Sequence, residues 1–154
     1  MAAQSSDQSE RMANPVYKVL LTDAPLHAPQ ATYYGSGAVV DFFGAVRPHE
    51  DGRDISGIEY EAHATMASHQ MEQIARDAVQ QFSLNSAVIH HRLGFVPAGE
   101  ASVLVRTTSR NRVEAYRANQ WIMDELKKRV PIWKRPKFAD AEQPSMGETG
   151  ILSK

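Results

Sequence analysis

The sequence predicts an α+β fold in which mostly antiparallel strands carry two main helices. Three observations lead to it. Short runs rich in β-branched and aromatic residues recur along the chain, bounded by glycine, proline or Asp-Gly. Two longer stretches instead repeat their apolar residues at helical spacing. In order these segments read β-β-β-α-β-β-α with no internal repeat, which is the pattern of an α+β sandwich.

Tyr17 to Thr22 (YKVLLT) is a short β-rich run, and the loop after it, DAPLHAPQ, contains prolines that exclude a central strand. Gly37 to Val46 (GAVVDFFGAV) is the second strand. Asp51-Gly52 then offers a turn, and Ile55 to Ala62 alternates Ile58, Tyr60 and Ala62 with Glu59 and Glu61, completing a hairpin with a long tip. Over residues 66–82, Met71, Ile74, Ala75, Ala78 and Phe82 fall on one helical face, the stripe of a helix packed on a sheet. Ala87 to Leu93 and Ala101 to Thr107 are strands, with GFVPAGE between them as a turn. The second helix starts at Asn111, an N-cap whose capping-box partner is Glu114. It buries Ala115, Ala118, Ile122 and Leu126 and stops near Val130, because Pro131 cannot continue it.

Residues 1–14 are polar and without periodicity, so they predict a disordered arm; residues 139–154 predict a flexible tail. Between them, 15–138 form one domain. A chain of 154 residues with 42% hydrophobic and 23% charged content can bury a real core. No apolar run approaches the roughly 20 residues of a membrane-spanning helix, and the N-terminus lacks the apolar region of a secretory signal. A soluble, cytoplasmic protein is expected. The chain has no cysteine, which excludes disulfides, thiolate metal sites and a persulfide of its own.

Charge is distributed unevenly. The formal net charge is −1, yet MDELKKRVPIWKRPKF (residues 123–138) carries Lys127, Lys128, Arg129, Lys134, Arg135 and Lys137. Without those six cations the chain has 11 Lys+Arg against 18 Asp+Glu, a balance of −7. Positive charge so localised implies an anionic partner or substrate. Lys127 lies one turn after Met123, at the edge of the buried stripe, so its stem can pack while its ammonium reaches outward. Lys134 follows the Pro131 break. A chain that turns back there brings Lys134 towards Lys127, and each ammonium then disfavours charge on the other, which suits a nucleophile or proton shuttle. The competing reading makes KKR a helix C-terminus favoured by the macrodipole and WKRPK a solvated tail.

Arg47 ends the second strand, where a planar guanidinium could clamp phosphate or carboxylate. Arg110 and Arg112 flank the start of the second helix, whose free N–H groups also favour anions. The histidines predict no metal site: His90 and His91 are adjacent on a strand and point to opposite faces, and His63 and His69 have no partner at a ligand spacing. Surface or satisfied core positions are expected for most of them.

Five stretches, GAVVDFFGAVR, IEYEAHATMA, HHRLGFVPAGEASVLV, SRNR and MDELKKRVPIWKR, in this order and at these separations, closely resemble the large, catalytic subunit of molybdopterin synthase, the MoaE family. The likeness runs from about Val16 to Lys137, and the last motif is its most specific part. The resemblance implies an α/β hammerhead fold and a homodimer of large subunits. It further implies a small ubiquitin-like subunit (MoaD-like) docked on each, making a heterotetramer. The implied reaction is a sulfurtransferase step of molybdenum cofactor biosynthesis, without a cofactor. The small subunit's C-terminal Gly-Gly thiocarboxylate enters a pocket and donates sulfur to cyclic pyranopterin monophosphate, and two rounds form the dithiolene of molybdopterin.

By the same resemblance, the lysine of the MDxLK motif falls on Lys127 and that of the PxWK motif on Lys134, the two catalytic residues. Lys127 would face the thiocarboxylate, and Lys134 would assist proton transfer and substrate binding. Arg47 closes the FxGxxR motif and would hold substrate anion. Arg112 matches the arginine of the family's SAHR motif, which enters the neighbouring subunit's pocket, and Met123 would line that pocket. Two departures stand out. Asn111 occupies a position usually held by histidine, and asparagine cannot exchange a proton near neutral pH. Pro136 stands where an acidic residue is common. A member that has lost catalysis and only docks its partner is therefore a second reading. A third, single-stranded nucleic acid on the basic stretch and Trp133, is disfavoured because the charge is confined to one segment.

Overall fold

The computed structural model describes residues 16–139. The predicted arm over 1–14 and all but the first residue of the predicted tail lie outside them. The elements are β1 (Val16–Thr22), β2 (Ala38–Ala45), β3 (His49–Glu50), β4 (Arg53–Ala62), α1 (Ala64–Phe82), β5 (Ser86–Arg92), β6 (Gly94–Pro97), β7 (Ala101–Ser109), α2 (Arg112–Arg129) and β8 (Ile132–Phe138). The two helices and the predominantly antiparallel strands agree with the α+β class expected.

One sheet has the order β1-β5-β7-β2, with β1 parallel to β5 and the other pairs antiparallel. The second is built on β4, which pairs with β3, β6 and β8. The predicted stripes explain how the helices cover the first sheet. Met71, Ile74 and Ala78 of α1 meet Ile89 and Val105 of the sheet and Ala118 and Ile122 of α2 in one core. Each fully buried large aliphatic side chain contributes roughly 1.5–3 kcal/mol over its exposed state. A smaller core of Val46, Ile55, Ile58 and Val96 belongs to the second sheet.

A polar contact fixes α2 on its sheet. Asn119 is buried on the apolar face, and its Nδ2 donates to the Val40 carbonyl at 3.1 Å and the Val105 carbonyl at 3.0 Å, bonding α2 to β2 and β7 at once. Thr107 Oγ1 donates to the Ala115 carbonyl at 2.7 Å, one turn nearer the helix start.

Three expectations are corrected. GFVPAGE is not all turn: Gly94–Pro97 is strand β6, paired with β4, because Val96 is an inward residue of the smaller core. The turn is confined to residues 98–100, where Gly99 has φ 93°, a left-handed conformation natural to glycine. WKRPK is not a solvated tail, since β8 pairs with β4 along nearly its whole length. Pro136 is tolerated there because β8 has β4 as its sole partner among the described residues, leaving an edge where a missing N–H breaks no ladder. Asn111 is the N-cap residue of α2, with φ −126° and ψ 152°, but its side chain makes no capping hydrogen bond. Glu114 Oε1 is buried without a partner among the described residues, so the capping box is absent. No helix among the described residues is long and apolar enough to cross a membrane.

Candidate active site

The end of α2, the end of β2, and strands β4, β5, β7 and β8 enclose a cavity of about 650 Å³. Arg47, Lys127, Lys134 and Met123 all line it. Each arrives there for a local reason. Lys127 is in the last turn of α2, beside the buried Leu126, and the chain leaves the helix at Val130, whose N–H still bonds to the Leu126 carbonyl at 3.1 Å. After Pro131, β8 runs back along β4 and places Lys134 opposite Tyr60. Strand alternation puts Ile132, Lys134 and the buried Pro136 on one face and Trp133, Arg135 and Lys137 on the other. Arg47 follows Val46, whose N–H donates to the Glu100 carbonyl at 2.9 Å while its carbonyl accepts from Gly99 N–H at 2.8 Å. The β2 register shifts at Gly44/Ala45, just before that anchor.

Ion pairing sorts the basic cluster. Lys128 and Arg129 pair with Glu125 at 3.2 and 3.4 Å, and Arg135 pairs with Glu61 at 2.8 Å. Arg47, Lys127 and Lys134 make no ion pair among the described residues, and Glu50 is the one carboxylate among them lining the cavity. Three basic side chains facing one carboxylate in a shared cleft attract phosphate and carboxylate groups.

Sequence reasoning missed the other polar walls, Tyr60, His91, Ser102 and Glu50. The Tyr60 and His91 rings meet edge to face, with centroids 5.2 Å apart. Burial raises the Tyr60 pKa; a hydrogen bond with Ser102 opposes this and the charge of Glu50 adds to it, so the phenol stays protonated at neutral pH. Burial lowers the pKa of His91 against the opposing pull of its bond to the Arg92 carbonyl. Period-two spacing from the buried Ala87 and Ile89 was the available signal for His91, because it sets that ring on the inner face of β5.

Arg112 and Asn111 are not in this cavity. They sit at the opposite end of α2, roughly 22 Å from Lys127 at about 1.5 Å of rise per residue. Both are exposed, and Asn111 borders a second cleft with Arg110, Glu114 and Arg117. Among the described residues no group of three or more His, Cys, Asp or Glu is placed to hold a metal ion.

The family model described as MoaE protein matches residues 21–129. The molybdopterin synthase catalytic subunit of Pyrococcus abyssi is 43% identical over 100 residues, 65% of this chain and 68% of that protein. The one from Emericella nidulans is 39% identical over 105 residues, 68% of this chain, and the match spans about half of that relative, 54% of its length. Among solved structures, molybdopterin synthase from Staphylococcus aureus superposes with a TM-score of 0.74 at 31% identity, covering 79% of this chain and 91% of that one. A complex of subunits 1 and 2 of the molybdopterin-converting factor from Helicobacter pylori shares the fold, with a TM-score of 0.60 at 21% identity over 89% of this chain and 99% of that one.

Proposed function

The chain belongs to the MoaE protein family, and from that premise we propose that it is the catalytic subunit of a molybdopterin synthase. It transfers sulfur from the C-terminal thiocarboxylate of a small ubiquitin-like subunit to cyclic pyranopterin monophosphate, building the dithiolene in the cytoplasm. The observation that carries this reading is the meeting of Arg47, Lys127 and Lys134, all without ion-pair partners among the described residues, in one cavity with room for a narrow peptide tail and a phosphorylated ring. A chain without cysteine needs its sulfur delivered by a partner, and a thiocarboxylate tail does that.

Each residue has a role its chemistry suits. Arg47 holds the precursor's phosphate with its planar fork. Lys127, on the helix end, faces the acyl carbon of the tail, where an amine attacks or polarises it. Lys134, on β8 in the same lining, binds substrate anion and passes protons. Met123 supplies an apolar wall against which the tail packs. Arg112 and Asn111, too far from their own cavity, reach that of the second subunit in a homodimer, and a small subunit on each half completes a heterotetramer. Reconstitution with a thiocarboxylated small subunit and precursor, assayed for molybdopterin, tests the proposal. Dithiolene formation is expected; its absence with a competent partner would refute it.

A further inference from the structure

His91 is the one ring in the cavity whose hydrogen-bond partner fixes its tautomer. Its Nδ1 lies 2.9 Å from the Arg92 carbonyl oxygen, which can only accept, so Nδ1 carries the hydrogen. In the neutral ring, Nε2 is then left with a free lone pair. The edge-to-face contact with Tyr60 holds the ring plane. The remaining nitrogen groups lining the cavity belong to Arg47, Lys127 and Lys134, which the synthase reading already engages with substrate anion and the tail, and the Tyr60 and Ser102 hydroxyls are poor bases. The titratable and charged groups facing this space are therefore Arg47, Glu50, Tyr60, Lys127 and Lys134, together with His91.

Sulfur transfer from an acyl carrier must end by freeing the carrier from sulfur, and with water as acceptor that step releases a proton. We propose that His91 Nε2 takes that proton. Water's oxygen bonds to the acyl carbon as one of its O–H bonds breaks towards Nε2. The acyl carbon–sulfur bond then cleaves with its electron pair staying on sulfur, now attached to the pterin. The tail leaves as a carboxylic acid and ionises to solvent, and the imidazolium returns its proton to solvent before the next round. Burial suits the ring to this work, because it keeps His91 neutral at physiological pH. This inference rests on the synthase reading and names a residue that reading leaves idle.

The test is single-turnover molybdopterin formation by the reconstituted complex over pH, comparing the unaltered chain with His91→Asn, which keeps a donor near Nδ1 but has no basic nitrogen. Expected are a rate about a hundredfold lower, small-subunit affinity and thermal midpoint close to those of the unaltered chain, and loss of an acid limb lying below pH about 6.5. His91→Gln supplies the same comparison if His91→Asn folds poorly. An unchanged rate and acid limb in both variants would overturn the inference alone. So would transfer of the acid-limb change to Glu50→Gln. No turnover by the unaltered chain would overturn the synthase reading as well, which keeps the two failures distinct.

Discussion

Tyr60 of β4 stands directly opposite Lys134 of β8 in antiparallel register. That pairing, seventy-four positions apart in the chain, sets the lysine at the cavity that Lys127 reaches from α2. Because strand side chains alternate, a slip of one residue would exchange Lys134 for Trp133 or Arg135 and remove the amine. The site thus depends on a strand that covers β4.

Replacing Lys127 by alanine is expected to lower molybdopterin formation by at least about a hundredfold while small-subunit binding persists. Lys128→Ala, which removes a cation already paired with Glu125, should stay within about threefold of the unaltered chain. Rate assays on the two variants, side by side, separate a cavity lysine from a helix-end lysine.

Arg47→Lys keeps the charge but loses the fork. KM for the phosphorylated precursor should rise about tenfold, equivalent to about 1.4 kcal/mol of binding, with a smaller change in kcat. Steady-state kinetics at saturating small subunit would show it, and a fall confined to kcat would contradict the assigned role.

Arg112 is expected to act in trans. Arg112→Ala and Lys127→Ala homodimers should each be nearly inactive, yet subunits mixed and allowed to exchange should recover about a quarter of full activity. Half of the dimers then carry both lesions on different chains, leaving one intact pocket each. No recovery after verified exchange would count against a shared site.

Asn119→Ala should cost about 1–3 kcal/mol in denaturant unfolding, since the Val40 and Val105 carbonyls would lose a buried donor. Because this bond seats α2 across β2 and β7, turnover should fall further than the folded fraction alone accounts for.

Stability should fall on mild acidification. Burial lowers the pKa of both His90 and His91 below the ordinary 6.5, with Arg106 and Lys18 adding to the effect at His90. Between the lowered folded values and 6.5 the unfolded chain binds more protons, so this stability is fully present above pH 6.5 and is lost as pH drops through the folded values. Thermal melts at about pH 7.5 and 5.5 should show the drop, with a shallower dependence in His91→Asn.

The order of residues alone specifies both helices, five of the eight strands and the local excess of positive charge. Each of these is written in neighbouring residues: the stripe from Met71 to Phe82, the alternation from Ile58 to Ala62, the stop at Pro131. It also carried Arg47, Met123, Lys127 and Lys134, through motifs whose spacing is local. Tertiary structure alone decided that KRPK is a strand and not a tail, that Val96 belongs to a core, and that Asn111 and Arg112 lie a helix length from their own cavity. It likewise brought Tyr60, His91 and Ser102 to the same wall. Their neighbourhood is made by β4, β5 and β7, elements distant in the chain, and no periodicity within one element encodes which other element will face it.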